Sequence, residues 1–302
     1  MRLTALKTFS DNFISVEQGL TYKLDYTAAA PYLAADILEP TEQFQPEIIS
    51  RALNRIAADY GVFASVVEKA KVIQKYGKIE STLNDTWETV QTSGGTETLL
   101  TTNAITVIVS TSASDTQTVD IEGHYLTANG DFVFHVQTAT MNGTTPVTLA
   151  QPLARCSRMH SNAVYTVGRV TVRAGAGGTV YNEIAVGLVQ SDKAATTISY
   201  RDFYILTAFG ASVVDSNNNA SCEFELQQRE GNEQWRPTAL LRLTGNNTTY
   251  ERMLEPPVVL GPNGEFRVRA RSSTAGVTLD AHFSGHLAIN EALKDATPPA
   301  PA

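Results

Sequence analysis

Between Asn103 and Met159 the apolar side chains fall at every second position. Ile105, Val107 and Val109 set the pattern, which is the period of a half-buried strand. A polar cluster from Ser110 to Gln117 breaks it. Val119 and Ile121 restart it, and Gly123 reads as its end. Phe132, Phe134 and Val136 alternate again beyond Asn129-Gly130, and Asn142-Gly143 leads into Val147 and Leu149. Asn-Gly pairs favour tight turns because both residues tolerate positive φ. The stretch predicts an antiparallel sheet with one buried face.

The same reading continues along the chain. Strands are predicted around Val164–Arg173, Thr179–Val189, Tyr200–Val213, Cys222–Gln228, Ala239–Leu243, Pro257–Leu260, Phe266–Arg271 and Val277–Leu287. Gly/Asn/Asp-rich turn signals recur between them, the pattern of a sandwich or jelly roll. The expected fold is mainly β: an antiparallel β-sandwich or jelly-roll-like body over 79–290, with a subdomain division near 195 left open. Residues 291–302 read as a Pro-rich tail.

The first 78 residues follow other patterns. Residues 1–45 have apolar side chains without a period and read as an extended arm with room for one hairpin. Residues 46–78 read as a helical segment opened by Pro46-Glu47. Ile49, Leu53, Ile56, Tyr60, Phe63, Val67 and Ala70 form a narrow stripe at heptad spacing. Gly61 interrupts it, Lys69, Lys71, Lys75 and Lys78 suit a helix C-terminus, and Gly77 a C-cap. Such a helix packs on its own β body or self-associates.

Several motifs resemble one family. Val-Ser-Thr-Ser-Ala-Ser-Asp-Thr (Val109 to Thr116), Val119-Asp-Ile-Glu-Gly123 and Met141-Asn-Gly-Thr-Thr-Pro-Val147 are similar to segments of virion structural proteins of tailed bacteriophages. So are Trp87, the Leu153-x-Arg155-x-x-Arg158 element, Gly168-Arg-Val-Thr-Val172 and Phe203-Tyr-Ile-Leu206. Arg229-Glu-Gly-x-x-x-Trp235 and Arg267-Val-Arg-Ala270 complete the order, which spans roughly Tyr76 to Ile289. The resemblance implies a non-enzymatic particle component in a virion, made in the bacterial host cytoplasm. A capsid decoration (cement) or head-fibre-base protein fits best. A neck or tail component (adaptor, tube or tail-fibre base) is the alternative, and a carbohydrate-binding receptor module the third reading. Implied partners are the major capsid protein or neck and tail proteins, and further copies of the chain, most simply as a trimer. The assembly-interface candidates are Phe9, Phe13, Tyr22, Tyr26, Ile49, Leu53, Ile56, Tyr60, Phe63 and Val67.

Composition narrows the partners further. A net charge of −8 over 302 residues argues against a nucleic-acid groove, which needs dense Lys and Arg. Hydrophobic residues make up 42%, enough for a real core. The start resembles no signal peptide, no apolar run reaches membrane-span length, and no membrane partner is expected. Cys156 and Cys222 read as buried hydrophobes, with a disulfide between them the lesser alternative.

Candidate chemistry does not cohere into a site. His282 and His286 on a strand lie about 13 Å apart, too far to share a metal. His124, His135 and His160 are scattered. Gly175-Ala-Gly-Gly178 lacks the Lys-Ser/Thr ending of a phosphate loop. Asp115, Asp120 and Asp131 fit no calcium loop and read as solvated turn carboxylates. Trp87 and Trp235 are expected to plug the core. Arg155, Arg158, Arg267, Arg269 and Arg271 are either interface arginines or solvated strand faces. No catalytic residue, metal or cofactor is assigned.

Overall fold

The computed structural model describes residues 2–5, 9–10, 15–16, 21–23 and 38–40, residues 70–289 apart from 163–164, 215–219, 232 and 245–247, and Pro301. The chain divides into two compact units, Met1–Val72 and Ile73–Ala302. In the first, β1 (Arg2–Ala5), β2 (Phe9–Ser10), β3 (Ser15–Val16), β4 (Thr21–Lys23) and β5 (Leu38–Pro40) are short strands. β1 lies between β4 and β5 in an antiparallel sheet, and β2 pairs with β3. Among the described residues of this segment, backbone pairing joins β1 to β4 and β5, and β2 to β3.

Most of the expected helix, 46–69, lies outside the described residues, but its end is corrected. Ala70–Ile79 forms a strand, β6. Its alternation is hidden because the inward positions after Ile73 are Lys75 and Gly77. Gly77 is no C-cap. A Cβ there would sit 2.2 Å from the Val90 carbonyl and 2.3 Å from the Ala194 amide, so glycine is what lets three backbones meet.

The second unit is mainly antiparallel β and holds two sandwiches, one inserted into the other. The inserted sandwich comprises β8 (Ile105–Ser110), β9 (Thr118–Leu126), β10 (Phe132–Thr140), β11 (Val147–Leu153), β12 (Arg155–Ser161), β13 (Val170–Arg173) and β14 (Val180–Ile184), with β7 (Glu88–Thr89) preceding them. Its sheets run β10-β9-β12 and β11-β8-β13-β14. Between them Ile105, Ile108, Ile121, Leu153, Met159, Val170 and Val172 are fully buried. Gly123 does not end β9. It lies inside the strand, where a Cβ would collide with the Arg155 carbonyl at 2.2 Å.

The host sandwich takes β6 and β7 from before the insertion. Afterwards come β15 (Ala195–Thr197), β16 (Asp202–Val214), β17 (Ser221–Glu230), β18 (Arg236–Thr244), β19 (Thr248–Leu260), β20 (Gly264–Ser272) and β21 (Thr278–Ile289). One sheet runs β15-β20-β17-β18, with β7 also on β20, and the other β19-β16-β21-β6. Tyr204, Phe266 and Phe283 pack together at its centre, ring centroids 5.5–6.2 Å apart. On β20, Phe266, Val268 and Ala270 enter this core, while Glu265, Arg267, Arg269 and Arg271 take the other face. A division near 195 marks only one of two crossings, since β6 and β7 also belong to the host.

Predicted strand limits differ where packing departs from alternation. β13 and β14 are shorter than expected. β19 is much longer, because it is an exposed edge strand with almost no buried side chain to signal it. Pro301 is the one described residue of the tail, and it bridges Thr127. Among the described residues no helix is long and apolar enough to cross a membrane.

Candidate functional site

The two crossings between the sandwiches run side by side. Gln91 and Lys193 form an antiparallel bridge, the Ala194 amide donates to the Val90 carbonyl at 2.9 Å, and the Thr92 amide to Asp192 at 3.0 Å. The returning strand is also tied to β12, through Ser191 N–H to the Met159 carbonyl and Met159 N–H to the Ser191 hydroxyl. At this joint the buried Lys193 ammonium meets Glu97 Oε1 at 2.6 Å and donates to the carbonyls of Cys156 and Tyr181. Burial pushes the Glu97 carboxyl up. Lys193, with its charge and hydrogen bond, then Arg155 and Arg267, outweigh this and hold it below its ordinary value.

Glu265 is the second tie. Its Oε1 accepts from Arg155 Nε at 2.6 Å and from the Thr197 hydroxyl at 3.0 Å, and its Oε2 accepts from Arg229 Nε at 2.6 Å. Arg155 belongs to the inserted sandwich, Glu265 and Arg229 to the host. Arg155 is further satisfied by the carbonyls of Leu100 and Ala154, and its guanidinium lies 4.8 Å from the Phe132 ring centre. A carboxylate so buried needs its paired charges, since removing one partner strands the other in low dielectric. Asn263 adds a third tie, accepting from Phe132 N–H and donating to Asp131.

The tryptophans do not plug the core. Trp235 is half-buried on the outer face of the host sheet, with Arg267 at 4.0 Å and Arg229 at 4.9 Å from its ring centre. Trp87 is held likewise by Arg271 at 5.0 Å and Arg269 at 5.4 Å. Strand alternation puts the β20 arginines outward, and a guanidinium covers an indole face better than an aliphatic chain does. Arg271 also pairs with Glu223, and Arg267 with the amide of Gln227.

The remaining candidates are dispersed. Asp115 is not a solvated turn carboxylate: it is buried and accepts from the Ser110 hydroxyl and the amides of Val167 and Gly168. Asp120 pairs with Thr138 and Asp131 with Asn263, so the three aspartates do not meet. His124 is buried between the rings of Phe132 and Phe134. His282 lies 3.7 Å from Glu251, and His286 is buried four residues further along β21. Arg158 reaches Glu122 and Gln190. Cys156 belongs to the inserted core and Cys222 to the host core. Among the described residues no group of His, Cys, Asp or Glu is arranged to hold a metal.

Of the assembly-interface candidates, Phe9 lies in β2 opposite Val16 and Tyr22 in β4 opposite Leu3. Phe13, Tyr26, Ile49, Leu53, Ile56, Tyr60, Phe63 and Val67 lie outside the described residues. Sequence reasoning missed Glu97, Lys193 and Glu265. For Glu265 the available signal was a carboxylate in phase with Arg267, Arg269 and Arg271, on the face of β20 opposite Phe266.

Beside the first crossing is a cavity of about 130 Å³. Gln91, Ser93, Thr96 and Thr98 line one side, and Thr179 and Tyr181 of the β13–β14 hairpin the other, with Glu97 also in the lining. The loop is tied down. Glu88 accepts the amides of Leu83 and Gly95, Thr89 N–H donates to the Gly95 carbonyl, and Glu97 N–H donates to the Thr89 hydroxyl.

No family model matches the chain, and no curated protein matches it. Solved structures with partial likeness include infectious bursal disease virus Gt strain (9% identity, 74% of this chain and 73% of that chain, TM-score 0.19). The Gx strain gives 10% identity, 74% and 72% coverage and a TM-score of 0.22. The VP2 subviral particle of the same virus gives 9%, 73%, 72% and 0.19. At these TM-scores the likeness carries no functional argument.

Proposed function

We propose that this chain is a non-enzymatic structural component of a tailed-phage virion, in the role of a capsid decoration or head-fibre-base protein. One observation carries the reading. Residues of the motifs that resemble phage virion proteins are scattered in sequence, yet several converge on one joint. Arg155, Arg229, Trp235 and Arg267 all gather around Glu265 or its neighbours. Asn142-Gly143 docks on the Ser110–Asp115 loop, with Gly143 N–H donating to the Asp115 carbonyl. Among them the Arg155–Glu265 pair clamps the two sandwiches together, and a rigid body is what a load-sharing particle component requires. The net charge of −8 favours a place away from packaged nucleic acid.

Attachment is assigned to the N-terminal residues, with Phe9, Phe13, Tyr22, Tyr26 and the 46–69 stripe as contacts to the shell or to further copies. Immunogold labelling of particles tests the role. Label over the whole head fits decoration, label at one vertex moves the chain to the neck or tail, and unlabelled particles overturn the proposal.

A further inference from the structure

Lys193, Glu97 and Asn182 converge where the returning crossing meets the inserted sandwich, and we propose that the Lys193 and Asn182 side chains join there in an isopeptide cross-link. The three residues come from separate elements: Glu97 from the segment after β7, Asn182 from β14, and Lys193 from the crossing into β15. Lys193 is 5% exposed and Asn182 3%, and the Glu97 side chain is 9% exposed. One carbonyl, that of Cys156, accepts from both reacting groups: from Lys193 Nζ at 3.3 Å and from Asn182 Nδ2 at 3.4 Å. Nζ also lies 3.2 Å from the Tyr181 carbonyl, whose peptide bond leads into Asn182. The amine is thus held beside the amide it attacks, and the flexible lysine stem supplies the rest of the approach.

The remaining parts of an amide exchange are in place. Glu97 Oε1, 2.6 Å from Nζ, takes a proton from the lysine and frees its lone pair. Asn182 Oδ1 accepts from the Glu183 N–H at 2.9 Å, so a backbone donor already sits on the oxygen where negative charge develops. Nζ attacks Cγ of Asn182, the Cγ–Nζ bond forms, and Glu97 relays the protons that Nζ loses to Nδ2. The Cγ–Nδ2 bond then breaks, and ammonia leaves as ammonium, carrying away the charge that Lys193 brought. A lysine ammonium and a carboxamide become a secondary amide and ammonium, with no co-reactant. The resting Lys193–Glu97 pair is ionic, so the free amine is scarce, but each chain reacts only once and burial keeps water from the product. The Cys156 thiol, 3.6 Å from Nδ2, does not compete, because burial pushes it up to about 11 and keeps it protonated. The cross-link staples β14, an edge strand, to the crossing.

Mass spectrometry of the purified full chain tests this. The denatured protein should be lighter than its sequence by one ammonia. Cleavage after Arg173 and Glu183 places Asn182 and Lys193 on separate peptides, which the cross-link should keep joined. Asn182→Ala and Lys193→Met should each give separate peptides and lose no ammonia. Glu97→Gln keeps both reacting groups but lacks the proton acceptor, and should stay unlinked. A wild-type chain at full mass, a loss of ammonia without the joined peptides, or linkage undiminished in any of the three variants overturns the proposal.

Discussion

At the scale of single residues, Glu265 is the most exacting position. Glu265→Gln leaves Arg155 and Arg229 buried without their carboxylate, and should cost about 3–5 kcal/mol in urea unfolding. Glu233→Gln breaks an exposed pair with Arg236 and should change stability by no more than about 0.5 kcal/mol. Equal effects would remove the clamp from the account. His124 sets the acid response. Burial first, then the positive charges of Lys75 and Arg155, push its pKa from 6.5 down to about 3. Between those values the unfolded chain binds a proton that the folded chain refuses, so stability falls as the pH drops through that window. Asp115, held below its ordinary value, adds a loss of the same sign at lower pH. His124→Leu should flatten the melting temperature between about pH 6.5 and 3. An unchanged slope would place the acid sensitivity elsewhere. Such residues are hard to read from sequence because burial, which shifts His124 and pairs Glu265, is set by strands far away in the chain.

At the scale of elements, legibility followed alternation. β8, β9, β10, β16 and β20 carry regular inward apolar positions and were legible. β6 was not, because Lys75 and Gly77 occupy inward positions and a heptad-like stripe precedes it. β19 was mostly missed because nearly every side chain along it is exposed. The strand reading of β6 makes its own prediction. Gly77→Ala should destabilise by about 1–3 kcal/mol, because the methyl meets backbone atoms of Val90 and Ala194 that cannot swing aside. Gly177→Ala, where nothing lies within 4 Å, should be tolerated. If Gly77→Ala were neutral or stabilising, the strand assignment would fail.

At the scale of the whole molecule, the two cores are discontinuous in sequence, which local patterns do not reveal. The β body has its own cores and its own clamp, and the proposed function assigns attachment to the N-terminal residues. A chain beginning at Ala70 keeps β6 whole, whereas one beginning at Lys78 would remove most of that strand. The Ala70 variant should melt cooperatively but fail to join particles that lack the protein; incorporation equal to full length would move attachment to the β body. The central claim, membership of the particle, is tested most directly by quantitative mass spectrometry of gradient-purified phage. The account predicts peptides from this chain in a fixed, reproducible ratio to the major capsid protein, retained through repeated banding. Its absence from purified particles, with abundance confined to the soluble lysate, would contradict it.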